Sequence, residues 1–442
     1  MKGKLLKILI AVFAVALIAP AFSAVENVKV GGDISIYGVL RGDFDISSAP
    51  TGKKNEDLHF FQTAARVYVS ADLSDNVSAM VRLINERNWG AKESSNVVTE
   101  KNIDLDLGYI QVKDFLTPGL NLTVGRQEIQ LGEGLVVGSA YNAYDYPVFY
   151  YNYYLGKVCL AAADLGLQKA FDAVKLDYKA SAIPLSVTAF LSKIDEELYK
   201  NYEEQTLYGL NLGYKVADIA DIEVYYVRSD TDYSGKNDTL DTAGIRVVSK
   251  IPAIQNFNLK GEYAKQFGED ENGADYKGWA LLLGGEYKFS ANMEPAIKVN
   301  YLILSGDENP TTGDHKDWQM VFPSNIGSRI GPLFYAYDAC NGIIGEESNL
   351  KVLNIGFSLK PVEKLTLSLD GYWLKTDEKV SISGGTSDKI GKEIDLGIEY
   401  KHTEDLVFGL SLGKIFADDV IEKHDPEGKD AWQAIASMKV SF

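Results

Sequence analysis

The stretch "KLTLSLDGYWLK" (364–375) alternates between apolar and polar side chains with a period of two. Leu365, Leu367, Leu369 and Trp373 fall on one face of an extended chain, and Thr366, Ser368 and Asp370 fall on the other. A slip of one residue would exchange the faces and carry Asp370 into the apolar surroundings, so the pattern fixes the facing. The run exceeds the roughly five or six residues of a usual soluble strand and reaches the roughly 9–11 that a tilted strand needs to cross a bilayer.

The same pattern recurs along the chain in about eighteen segments. Among them are "DISIYGVLRGDF" (33–44), "TAARVYVSADL" (63–73), "TLYGLNLGYKV" (206–216), "DLVFGLSLGKIF" (405–416) and "AWQAIASMKVSF" (431–442). Tight connections such as "SD" (74–75), "FLTP" (115–118), "FSANM" (289–293) and "HTED" (402–405) alternate with longer, charged ones such as "IDEELYKNYEEQ" and "GEDENGADY". Soluble sandwiches have no reason to obey such a rule, whereas outer-membrane barrels have short periplasmic turns and long external loops. In hydrocarbon every backbone polar group must pair, so the sequence predicts an all-β fold: a transmembrane antiparallel β-barrel of about eighteen strands. Tyr287, Tyr372, Trp373 and Tyr400 sit near strand ends, where an aromatic girdle is expected.

Residues 1–24 read as a signal peptide: Lys2, Lys4 and Lys7, an apolar run from Ile8 to Ala19, then small residues around Ser23 and Ala24. Residues 25–442 are then a single barrel, exported to the bacterial outer membrane, with outer-membrane lipid as its solvent. In the closing segment Trp432, Ala434, Ala436, Met438, Val440 and Phe442 share the apolar face. The terminal Phe442 resembles the aromatic insertion signal of outer-membrane barrels, which implies the barrel-assembly machinery as a partner.

Composition narrows the function. The 442 residues carry a formal net charge of −18 without a concentrated basic cluster, which argues against nucleic acid. Mean hydropathy is −0.11, too polar for a helical membrane protein but suited to strands with one wet face. The four histidines, His59, His315, His402 and His424, are scattered without a serine–acid constellation, so no catalytic residue and no enzyme activity are expected. Acid-rich loops at 306–317 and 418–430 match no calcium-loop spacing, and no metal or cofactor is expected. Cys159 and Cys340 lie in different long loops; whether they form a disulfide is open at this level.

Alternation places Arg41, Arg66, Arg82, Arg246, Lys260 and Lys298 on the inward face, with Asp33, Asp43, Glu86, Asp104, Asp106, Glu262, Asp370, Asp395 and Glu399. A ladder of arginines facing acids would screen solutes by charge and shape. Residues 129–169 and 306–349 are too long for ordinary connections and are expected to fold inward and narrow the pore. The first holds the tyrosine cluster "YNAYDYPVFYYNYYLG".

At "LTVGRQEIQLGEGLVVGSA" (122–140), "KAFDAVKLDY" (169–178) and "MVFPSNIG" (320–327) the chain resembles the alginate-export family of outer-membrane porins. The resemblance implies a single eighteen-stranded barrel with Arg126 and Gln127 near the constriction and Asp172 across from them. Alternation alone leaves the facing of Arg126 open, and a bulge would be needed to turn it inward. Polyuronate exporters of that family line their pores with excess positive charge, whereas this inward set is mixed in sign. The expectation is therefore a passive channel for small hydrophilic solutes such as anionic sugars or organic acids. The alternative is a structural or adhesive barrel whose lumen is plugged by loops.

Overall fold

The structure, a computed structural model, describes residues 26–42, 58–89, 103–139, 149–152, 157–160, 165–195, 204–233, 236–251, 254–309, 313–324, 328, 330, 348–424 and 430–442. The expected signal peptide, Asp43 and Cys340 lie outside these residues, and so does the question whether Cys340 pairs with Cys159.

Twenty strands follow in chain order. The first group is β1 (Glu26–Gly42), β2 (Leu58–Ser74), β3 (Val77–Asn88), β4 (Asp104–Val112) and β5 (Leu120–Gln127). A small hairpin, β6 (Phe149–Asn152) and β7 (Lys157–Leu160), lies in the first long connection and pairs only with itself. The wall resumes with β8 (Phe171–Lys179), β9 (Leu185–Asp195), β10 (Glu204–Val216), β11 (Ala220–Tyr233), β12 (Lys236–Lys250) and β13 (Phe257–Glu269). It continues with β14 (Trp279–Lys288), β15 (Ala296–Leu304), β16 (Leu350–Val362), β17 (Leu365–Ile382) and β18 (Gly385–Lys401). The last wall strands are β19 (Leu406–Ala417) and β20 (Ala431–Ser441), with a short helix α1 (Asp419–His424) between them.

All strands except the small hairpin form one 18-stranded antiparallel sheet. It closes on itself because β1 pairs with β2 on one side and with β20 on the other, from Asp33↔Ser441 to Gly42↔Trp432. Closure removes the unpaired edge that hydrocarbon would not tolerate. At its last residue Phe442 exchanges backbone hydrogen bonds with Gly32, at 2.9 and 3.0 Å.

Facing follows the sequence pattern. Leu369 and Trp373 lie on the outer surface, while Asp370 between them is buried inside. Tyr372 departs from the girdle expectation. It shares the parity of Asp370, so it turns inward and packs with Val352 and Leu374. The alternation of tight and long connections also needs one amendment. The β11–β12 and β17–β18 connections, expected as loops, are extensions of the strands themselves. The latter closes at Gly384 and Gly385, both with positive φ (89° and 153°), where a side chain would be strained.

Replacing Leu369 by Arg puts a charge in mid-bilayer and is expected to cost about 2–4 kcal/mol. Ser368→Arg, one residue away on the wet face, should cost far less. Urea unfolding of the refolded barrel in vesicles measures both, and equal costs would contradict the facing.

Candidate functional site

The lumen is divided by the two long connections. Residues 128–139 leave the end of β5 and cross the interior. A tight turn, with Leu131 N–H donating to Val137 O (2.9 Å), presents Glu133 at its tip. Gly132 (φ +57°) lies so close to Glu262 that a Cβ there would come within 2.6 Å of the carboxylate oxygens. The second connection meets the first at a parallel bridge, Val137↔Phe322, with a further backbone bond beside it. Phe322 N–H donates to Val136 O (2.9 Å), Gly138 N–H to Phe322 O (2.7 Å) and Ser324 N–H to Gly134 O (2.8 Å). Apolar burial holds this pair in place. Val136, Val137, Trp318 and Phe322 pack against inward-facing Phe171, Leu207, Val227 and Leu304. Phe171 meets Phe322 edge-on at 5.9 Å.

Polar clamps fix the loops to the wall. Gln266 on β13 receives the second loop as a neighbouring strand would. Its amide donates to Gln319 O (2.6 Å), and its carbonyl accepts Gln319 N–H (2.8 Å). Further along, Ile330 N–H donates to the buried Glu393 on β18 (2.9 Å). Glu133 is the hub of the first loop. It accepts from both Nε and Nη2 of Arg246 (2.8 and 2.5 Å) and from Lys260 Nζ (2.6 Å), while its own N–H donates to Glu262 (2.7 Å). Tyr225 donates to Glu262 (2.6 Å), and the remaining Arg246 nitrogen, Nη1, reaches Glu223 (2.5 Å). Burial pulls the Glu133 carboxyl upward, but hydrogen bonds and charge from Lys260 and Arg246 outweigh it and hold the group below the ordinary glutamate range. In the second loop, burial pushes the Asp317 carboxyl above the ordinary aspartate range.

A basic ladder lies on the other side of the lumen. Arg41, Arg66 and Arg82 project inward from the consecutive strands β1, β2 and β3. Passing from β1 through β2, β3, β4, β5, β8, β9, β10 and β11 reaches β12 in nine steps, half of the eighteen-strand ring. The ladder and the Arg246–Lys260–Glu133 hub therefore face each other. Arg41 is buried and donates to Gln433 (3.3 Å). Arg66 pairs with Asp33 (2.9 Å), and Arg82 bridges Asp106 (2.5 Å) and Glu128 (2.7 Å). Lys298 pairs with Asp370 (2.8 Å), which also accepts from Asn354. Asp370 and Asp395 are direct register partners, so β17–β18 form an acidic flank. Asp104 and Asp106 both point inward, and a bulge between them and β3 lets Leu107 turn inward as well.

Two residues implied by the family resemblance are placed otherwise. Arg126 does pair with Asp172, at 2.8 Å. However, the register from β4 through β5 to β8 is unbroken, so no bulge inverts the alternation. Thr123 and Gln127 take the buried inner face, and Arg126 shares the outer face with Val124. Asp172, between buried Phe171 and Ala173, faces outward too, and more than half of its side chain is exposed. Gln127 is buried and braces the wall, donating to Ala173 O (3.1 Å). Lys193–Glu204 and the Arg228–Asp241 pair lie on the same outer rim.

Sequence reasoning missed Glu133, the residue that organises one side of the throat. Its signal was there: a single carboxylate between two glycines in the otherwise apolar run "LGEGLVV" (131–137). Gln266 and Glu393 gave no such signal, because their partners are backbone groups of distant loops.

No curated protein sequence is similar to the chain. Solved structures with the same fold include Pseudomonas aeruginosa OccK8 (OprE), at 11% identity and TM-score 0.60, covering 96% of this chain and 100% of that one. P. aeruginosa OccK11 (OpdR) gives 10% and 0.57, covering 94% and 96%. Acinetobacter baumannii OccAB1 gives 13% and 0.56, covering 96% and 99%. The family model described as "Alginate export" matches residues 34–433, nearly the whole barrel. The chain is thus an outer-membrane barrel of the channel type and belongs to the alginate export family.

Proposed function

We propose that the barrel is a passive channel for small hydrophilic solutes, with anionic sugars and organic acids as its preferred class. The observation that carries this reading is the ladder Arg41–Arg66–Arg82 set opposite the Arg246–Lys260 pair across a loop-narrowed lumen. Guanidinium groups match carboxylates in a fork, and the Arg82–Glu128 pair, whose carboxylate is half exposed, is weak enough to exchange one carboxylate for another. A solute carboxylate would replace Glu128 on Arg82 and leave down its gradient. Residues 1–24 would direct export and be removed, and the β20 strand ending at Phe442 would engage the barrel-assembly machinery.

One observation favours a second reading, a structural or adhesive barrel. The upper lumen is filled by buried apolar side chains of both loops, including Trp318 and Phe322. Liposome swelling with glucuronate and glucose separates the two. The channel reading expects faster entry of glucuronate, with Arg66→Gln and Arg82→Gln each reducing that advantage. Equal rates would remove the anionic preference, and no entry of either sugar would favour the plugged barrel.

A further inference from the structure

The outer surface is asymmetric in charge. At the end of the tight turns, the lysines near the strand termini, such as Lys179, Lys215, Lys250 and Lys439, have lumen parity. Among the described strand residues no Lys or Arg faces outward there; that rim is aromatic and aliphatic. At the opposite, loop-bearing end, outward cations cap the apolar band, densest on four adjacent strands. Lys351 on β16, Lys375 on β17, Lys392 on β18 and Lys414 on β19 each alternate with a buried inward neighbour, which fixes them outward.

Their arrangement is unfavourable for an empty surface. Lys351 and Lys375 are direct cross-strand partners, and like charges in that position repel. Lys392 is opposite Trp373, which puts it diagonally next to Lys375. It is also opposite Phe416, which puts it diagonally next to Lys414. Asp377, Asp388 and Asp430 neutralise Lys351, Lys375 and Lys414 at 2.7, 3.1 and 3.2 Å. Lys392 is exposed and has no carboxylate partner among the described residues. Trp373, Phe416 and Trp432 surround the cluster, and Lys414 Nζ lies 4.8 Å from the Phe416 ring centre. Solvent-exposed ion pairs of this kind contribute little and are readily replaced by a more highly charged anion.

We infer that this four-strand cluster is a docking site for the phosphate groups of an anionic glycolipid in the external leaflet. The apolar band below it takes the acyl chains, the aromatic residues mark the interface, and the lysines bind phosphate where the like-charged pair gains most from a divalent anion. The asymmetry is the reason for choosing lipid over a soluble ligand. The cluster faces away from the lumen, directly above lipid-facing Ile394, Leu396 and Leu412.

The test is native mass spectrometry of the detergent-refolded full-length barrel with bisphosphorylated lipid A, its dephosphorylated form, and inorganic phosphate as competitor. Wild type should retain the bisphosphorylated lipid, and the triple variant Lys375→Gln/Lys392→Gln/Lys414→Gln should bind it at least about tenfold more weakly. Heat-modifiable mobility and conductance should be unchanged in the variant, because none of the three side chains faces the lumen. A control, Lys215→Gln/Lys250→Gln, should bind as wild type does. Equal binding by the triple variant, or equal binding of the dephosphorylated lipid, would overturn the inference. So would complete displacement by millimolar phosphate, which would indicate a site for the free anion.

Discussion

Glu133→Gln should widen the channel and make it more anion-selective. The wild-type carboxylate holds Arg246 and Lys260 together and anchors the first loop to the wall. Each charge-assisted hydrogen bond lost costs roughly 1.5–3 kcal/mol, and the part-exposed Lys260 places its share at the lower end. The substitution also removes the negative charge that neutralises two cations, so the reversal potential under a salt gradient should move toward that of the anion. Lys260→Gln should move it the other way. Acid offers an independent readout. A carboxyl held below its ordinary value stabilises docking fully above about pH 4.3 and loses that contribution as pH falls through its lowered folded value. Wild-type conductance should therefore rise below about pH 4, and Glu133→Gln should lack this response. Asp317 has the opposite sign: its raised carboxyl is neutralised earlier, which favours its buried place in the second loop as pH falls. A wild-type channel whose conductance is flat down to pH 3 would contradict the Glu133 anchor.

Trp318→Ala should release the second loop. Trp318 is almost wholly buried among the loop and wall residues that fill the upper lumen, while its backbone N–H, which the substitution keeps, donates to Ser305 O at 2.9 Å. Truncating such a side chain typically costs about 3–5 kcal/mol, partly through the cavity left behind. Because barrel closure does not depend on the loop, the cost falls on docking. The docked-to-released ratio should drop by roughly two to four orders of magnitude. Two measurements check it: larger and noisier single-channel conductance, and faster protease cleavage within 306–349 with heat-modifiable mobility retained. Loss of the folded band would show instead that the loop supports the wall.

The barrel was legible because lipid constrains every strand in the same local way. Leu365, Leu367 and Leu369 on one side of β17 and Thr366, Ser368 and Asp370 on the other need no distant partner to be read. For the same reason the inward set Arg41, Arg66, Arg82, Arg246, Lys260 and Lys298 was placed by parity. Arg126 shows where a family resemblance and parity disagree: the register through β5 is continuous, and parity prevails. Tyr372 shows that an aromatic near a strand end belongs to the girdle only when its parity is outward. The throat itself was not legible. Val137↔Phe322, Gln266 with Gln319 and Glu393 with Ile330 join residues far apart in the chain, and most of these bonds involve backbone that carries no sequence signature.

The most direct test of the channel account is the single-channel conductance and reversal potential of the refolded protein in a planar bilayer under a potassium chloride gradient. The account predicts a steady open conductance with a reversal potential on the anion side, reduced by Arg82→Gln. A folded barrel that conducts no current, or an open one that favours potassium, would contradict it.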